Sequence, residues 1–200
     1  MWALISIGVW ISGYADVSPL LREIAFQQWD WQPGLWQLQP WRLWTAALVH
    51  WSSAHLMLNL LACVALGAWG NAVGLERRAA LVWLAAWPVT HLLLAFCPAL
   101  QHYGGLSGVL HAGVSIGVWH LLAQSAGSRR WVGATVGLGL VMKLVLEVPV
   151  LSQWMGLGVS LAFLPGAPDI QVAGEAHLAG ALAGWGCAAV LEPMFRRCKR

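Results

Sequence analysis

The sequence predicts an all-α membrane protein, a bundle of six transmembrane helices with both termini in the cytoplasm. Three observations carry that expectation. Hydrophobic residues make up 59% of the 200 positions and charged residues only 10%, against about 25% charged in an ordinary soluble domain. That much apolar sequence exceeds what a buried core requires, so the excess must face lipid. The apolar residues also fall into six segments, five of them near the roughly 20 residues needed to cross about 30 Å of hydrocarbon. Finally, the basic residues gather at alternate segment ends, the pattern that orients membrane proteins. Residues 1–200 therefore read as one integral membrane domain in contact with the lipid bilayer. The net charge of +3 lies at segment ends and points away from a nucleic-acid partner.

The first segment, about 1–17, is short for a full crossing. No Lys or Arg precedes its apolar stretch, as the start of a signal peptide would require, so it reads as a first helix. A long first loop, 16–49, follows. It sets Trp29, Trp31, Trp36, Trp41 and Trp44 among Gln, Pro and Arg residues, which suits a segment lying in the outer interface. A plain aromatic belt explains the same composition equally well. The remaining spans are expected at about 54–73, 79–98, 105–124, 131–150 and 173–191. Arg77 and Arg78 lie between the second and third, Arg129 and Arg130 between the fourth and fifth, and Arg196, Arg197, Lys199 and Arg200 after the sixth. The alternate loops hold only Arg22 and Arg42, so the even-numbered exits face the cytoplasm. Cys63, Cys97, Cys187 and Cys198 have no C-x-x-C spacing, which argues against a disulfide framework or a metal site.

Polar side chains inside spans are costly and default to functional suspects. Ser107 sits in Gly104-Gly105-Leu106-Ser107-Gly108 at the outer start of the fourth span. A lone membrane serine is usually structural, and this is not the G-x-S-x-G elbow, because Val109 holds the fifth position. His177 opens the sixth span, followed by Gly180 and Gly184; a lone membrane histidine is more often a packing residue. Gly113 with Gly117, and Gly180 with Gly184, form small-xxx-small faces that allow close backbone approach. Packing of those faces would let Ser107 and His177 meet. In the second span His55 and Asn59 are four apart and share a helix face. Both can donate hydrogen bonds to a developing oxyanion. His50 reads as part of a polar cap. Ser107, His177 and the His55–Asn59 pair are expected at one depth, about a turn below the outer helix ends, which packing alone does not explain.

At these residues the sequence resembles the rhomboid family of intramembrane serine proteases. The resemblance runs from Trp41-Arg42 through H-x4-H-x3-N (His50, His55, Asn59) and G-L-S-G to A-H-x-x-G-x-x-x-G (His177, Gly180, Gly184), with Gly105 and Gly108 beside the serine. It implies Ser107 as nucleophile, His177 as general base, and His55, Asn59 and the Ser107 amide as oxyanion donors. His111 stands where familiar bacterial rhomboids usually have Tyr, and is expected to stack on or orient His177. The run Gly-Leu-Ser-Gly-Val-Leu-His resembles the rhombosortase subgroup. That likeness implies membrane-anchored protein substrates with a C-terminal sorting tail: a Gly-Gly motif, a membrane helix and a basic end. It also implies residence in a bacterial inner membrane, with the active site opening toward the periplasm. Lys143 and Glu147, four apart in the fifth span, read either as a mutually neutralising pair or as substrate contacts.

Neither sequence neighbour of His177 is acidic, so a Ser–His dyad rather than a triad is expected, with no metal or organic cofactor. Three other readings stay open. One is a general rhomboid protease acting on other transmembrane substrates. Another is a non-catalytic rhomboid-like protein that binds membrane clients. The last is a haem protein using His50, His55, His91, His120 and His177, although His91 at mid-span and His120 near the inner end make no obvious facing pair with the rest.

Overall fold

The computed structural model describes residues 27–97, 99–148 and 173–197; the expected first helix, about 1–17, lies outside them. A short helix α1 (Arg42–Thr45) runs into a 3-10 turn, Ala46–Leu48. The long helices are α2 (Ser53–Ala72), α3 (Arg77–Leu93, with a 3-10 turn Leu94–Phe96), α4 (Ser107–Gln124), α5 (Ser128–Glu147) and α6 (Gly174–Arg197). Among the described residues there is no strand, only an isolated antiparallel bridge between Trp31 and Tyr103.

Local chemistry sets the helix ends. Ser52 is extended, and its hydroxyl accepts from the His55 amide at 3.2 Å, satisfying one of the donors a helix start leaves open. Past the other end of α2, Gly74 takes φ +68°, a left-handed turn that glycine makes without steric cost.

Among the described residues, three helical stretches are long and apolar enough to cross a membrane: Ser53–Ala72, Arg77–Phe96 and Gly174–Phe195, with mean hydropathies of 1.4, 1.8 and 1.4. The helices α4 and α5 have 18 and 20 residues, so length is not what separates them. Ser107, His111, Ser115, His120 and Gln124 dilute α4, while Arg129, Arg130, Lys143 and Glu147 dilute α5. Most of the polar site residues lie on these two helices.

α6 packs most extensively on α4 and then α3, α5 leans on α4, and α2 touches α4 from the side. Small residues make this tight: Ala79, Val82, Ala86, Ala112, Ile116, Ala183 and Ala188 form one buried cluster. Gly180 lies on the Gly108 carbonyl and Gly184 on the Ala112 carbonyl, so close that a Cβ at either glycine would collide with α4 backbone. This corrects the expected pairing. The glycines of α6 do meet the fourth span, but at Gly108 and Ala112. Gly113 and Gly117 instead accommodate Leu66 and Trp69 of α2. Five positions along a helix at about 100° each is some 140° of rotation, so the two small-residue pairs of α4 serve different neighbours. α2 buries only Leu56 and Asn59 and exposes Met57, Leu58, Leu61 and Val64.

The first loop is organised by one buried ion pair. Arg42 Nη1 lies 3.0 Å from Asp30 Oδ1 and also donates to the Asp30 and Gln27 carbonyls at 2.6 and 2.9 Å. His102 Nδ1 meets the other Asp30 oxygen at 2.7 Å. Trp31 is fully buried, whereas Trp29, Trp41 and Trp44 are exposed. The loop thus combines a core anchor with an outward aromatic fringe.

Candidate functional site

The site is built around the turn that starts α4. Trp31 and Tyr103 exchange backbone hydrogen bonds at 2.8 and 3.0 Å, and the Gly105 amide donates to the Ala46 carbonyl at 2.9 Å, so the first loop holds this turn from outside. The Tyr103 hydroxyl donates to the Gly105 carbonyl at 2.9 Å and accepts from the Gly108 amide at 3.1 Å. Its proton is thereby committed, and the Ser107 hydroxyl lies 3.4 Å away with the same oxygen as its acceptor. Ser107 is the first residue of α4, rather than a turn inside it as expected. Helix starts leave their first amides without intrahelical partners, and here the Ser107 amide is one of them.

Gly105 has φ +134°, where side chains are strained, and the space a Cβ would need is taken. It would stand 2.9 Å from His55 Nε2 and 3.8 Å from Asn59 Nδ2. Both side chains of α2 therefore converge on the backbone two residues before Ser107. His50 sets the direction of Asn59. Its Nδ1 donates to the Leu48 carbonyl at 3.1 Å, which leaves Nε2 to accept from Asn59 Nδ2 at 2.9 Å. Burial, reinforced by the nearby His55, pushes the His50 imidazole down to about 4, so the ring stays neutral and keeps this arrangement. One Asn59 amide hydrogen is used and the other remains available.

From the opposite side α6 supplies His177, one turn before Gly180. Its ring stacks on His111, with centroids 4.1 Å apart and planes 16° from parallel. His111 is itself fixed by donating from Nδ1 to the Ser107 carbonyl at 2.7 Å. His177 Nδ1 lies 2.7 Å from Glu147 Oε2, and both residues are buried. The other carboxylate oxygen of Glu147 takes Lys143 Nζ at 2.5 Å, and that ammonium stands 3.4 Å from His177 Nδ1. The meeting of α5 and α6 depends on Gly174, where a Cβ would sit 2.5 Å from the Glu147 carbonyl oxygen. A carboxylate 30 residues away in sequence thus occupies Nδ1 of the imidazole. Between Ser107 and His177 the described residues make no direct hydrogen bond. The two are neighbours through the Gly108–Gly180 contact and the His111 stack.

Ligand atoms of His111, Glu147 and His177 all lie within 4.8 Å of one another, a set that could hold a metal ion. The Lys143 ammonium already supplies positive charge to that carboxylate. Of the histidines considered for haem, His91 lies near the end of α3 rather than at mid-span, fully buried, with Nδ1 on the Leu43 carbonyl at 2.7 Å. His120 stands 3.9 Å from Glu192 at the far end of α4. Sequence reasoning missed Tyr103 and the engagement of His177 by Glu147. Tyr103 carried no signal beyond standing four residues before Ser107, whereas the Lys143–Glu147 spacing was visible without its third partner.

Chemically, the site offers a hydroxyl at a helix start, an imidazole with one nitrogen occupied by a carboxylate, and two side-chain N–H donors converging on the intervening backbone. The family profile described as a Rhomboid domain matches residues 37–193. No curated protein matches the chain.

Proposed function

We propose a function for this chain from its place in the rhomboid family, to which it belongs and whose members are intramembrane serine proteases and include inactive forms. From that membership we propose that it is an active serine endopeptidase, with Ser107 as nucleophile and His177 as general base. The observation that carries this reading is the convergence at Gly105: His55 and Asn59 are aimed at the backbone beside Ser107, where packing alone gives no reason for two polar donors.

In the proposed reaction His177 Nε2 takes the proton of Ser107 Oγ as the oxygen attacks the scissile carbonyl. The carbonyl electron pair moves onto oxygen, where His55, the free Asn59 hydrogen and the Ser107 amide stabilise it. Collapse breaks the C–N bond, and His177 returns the proton to the leaving amine. Water then hydrolyses the acyl-enzyme by the same route. The Ser107 hydroxyl rests against Tyr103 until substrate turns it toward His177; catalytic hydrogen bonds commonly tighten only in the complex.

We further propose the rhombosortase-type substrate, an exported protein held by a C-terminal Gly-Gly-containing tail, with six spans, cytoplasmic termini and a site open to the periplasm of a bacterial inner membrane. The Gly-Leu-Ser-Gly-Val-Leu-His run and the Lys143–Glu147 pair support it, as does the alternation of basic residues. The test has two parts. A fluorophosphonate probe should label Ser107 in the wild type and fail in Ser107→Ala and His177→Ala; an unlabelled wild type leaves a client-binding protein. Co-expression with Gly-Gly-tailed membrane proteins should yield a product whose mass places the cut at the tail. Cleavage only of transmembrane substrates without such a tail would make the protein a general rhomboid protease.

A further inference from the structure

We propose that Glu147 is a positioning residue that acts through His177, extending the serine–histidine pair to a relay of side chains from three helices. The inference rests on the protease reading above and deepens it. Glu147 Oε2 lies 2.7 Å from His177 Nδ1 in a buried contact. A carboxylate accepts and does not donate, so the proton of the neutral imidazole is held on Nδ1. Nε2 is then the bare nitrogen, the one able to receive the Ser107 proton. With the proton on Nε2 instead, the ring would present a donor to the serine and could not act as its base.

Two further contacts make the orientation definite. Lys143 holds Glu147 Oε1 at 2.5 Å, which sets the rotation of the carboxylate and turns Oε2 toward the ring. His111 covers one ring face, so His177 is fixed at an edge by one helix and over a face by another. The charge balance points the same way. The Lys143 ammonium at 3.4 Å from Nδ1 opposes the positive charge that His177 gains during the reaction. Among the described residues, His55, His111 and Glu175 are the other titratable groups acting on His177, and of the described carboxylates only Glu147 hydrogen-bonds the ring. It offsets Lys143 where the imidazolium forms, keeping its own negative charge while the proton stays on His177. A carboxylate serving only to neutralise Lys143 would have no need to reach α6.

The test uses the full chain in liposomes and a fluorophosphonate probe, with which the Ser107 Oγ–P bond forms as P–F breaks and the serine proton passes to His177. Glu147→Gln keeps the shape but can present an N–H to Nδ1, which places the ring proton on the wrong nitrogen. We expect its maximal labelling rate to fall by about 10³–10⁴-fold, with the half-saturating probe concentration unchanged. Glu147→Asp keeps the charge on a shorter arm and should label faster than Glu147→Gln. Labelling of Glu147→Gln within about threefold of wild type, or a Gln variant faster than Asp, would each overturn the proposal. A wild type that labels at Ser107 while Glu147→Gln remains fast removes Glu147 alone; a wild type unlabelled at Ser107 removes the protease reading and this inference with it.

Discussion

Asn59 shows how a single side chain is oriented by its neighbours. Its amide nitrogen is held by His50 at 2.9 Å, and His50 is held by a backbone carbonyl, so one N–H is spent on orientation and one is left over. Asn59→Ala should lower the rate of substrate cleavage by about 10²–10³-fold, the usual cost of one oxyanion donor, while the thermal midpoint moves far less than for a core truncation. An unchanged cleavage rate would remove Asn59 from the site. His50 adds a pH dependence. Its folded-state value near 4 lies below the ordinary 6.5, so its contribution to stability is complete above 6.5 and is lost as pH falls from there toward 4. That loss reaches at most about 3 kcal/mol. Thermal unfolding across this window should show the decline, and His50→Gln should make it shallower.

At the scale of elements, two contacts decide whether the helices meet in register. The first loop depends on Arg42, which is 3% exposed and pairs with a fully buried Asp30. Removing one partner of a buried ion pair strands the other charge, at a cost of about 3–5 kcal/mol. Arg42→Ala should therefore lower the unfolding midpoint strongly, and a shift within error would mean that His102 and Gln32, whose side-chain amide donates to Asp30 Oδ1 at 2.8 Å, suffice for Asp30. The second contact is the backbone approach of α6 to α4. Gly180→Ala should force the helices apart at Gly108, reducing both stability and labelling of Ser107. Gly186→Ala in the same helix meets nothing within 4 Å and should leave both unchanged, which separates steric exclusion from a general effect on helix propensity.

Across the whole molecule, the helices that carry most of the site are the ones whose polarity dilutes their apolar character. α4 and α5 bear the serine, His111, Lys143 and Glu147, and α2, α3 and α6 are long and apolar enough to hold the bundle in the bilayer. Orientation belongs to this scale because it arises from charges spread over several loops. A phosphatase that folds only outside the cytoplasm should be active when fused after His102 and inactive after Gly74 or Gly127. The reverse pattern would invert the proposed orientation and carry the site to the cytoplasmic side.

Membrane character, helical class and the residues worth suspecting were legible in the amino-acid order, because lipid imposes long apolar runs and makes every polar intrusion conspicuous. The i, i+4 spacing of His55 and Asn59, and the Gly180–Gly184 face, could be read for the same reason: helical periodicity converts spacing into direction. Which faces pair could not be read. Gly113 and Gly117 look as suited to α6 as Gly108 and Ala112 do, and only the packed bundle gives each pair its neighbour. Tyr103 and the reach of Glu147 to His177 were hidden for a related reason. Their partners come from a backbone turn and from another helix, and contacts between separate segments are fixed by tertiary packing, which leaves no periodic trace along the chain.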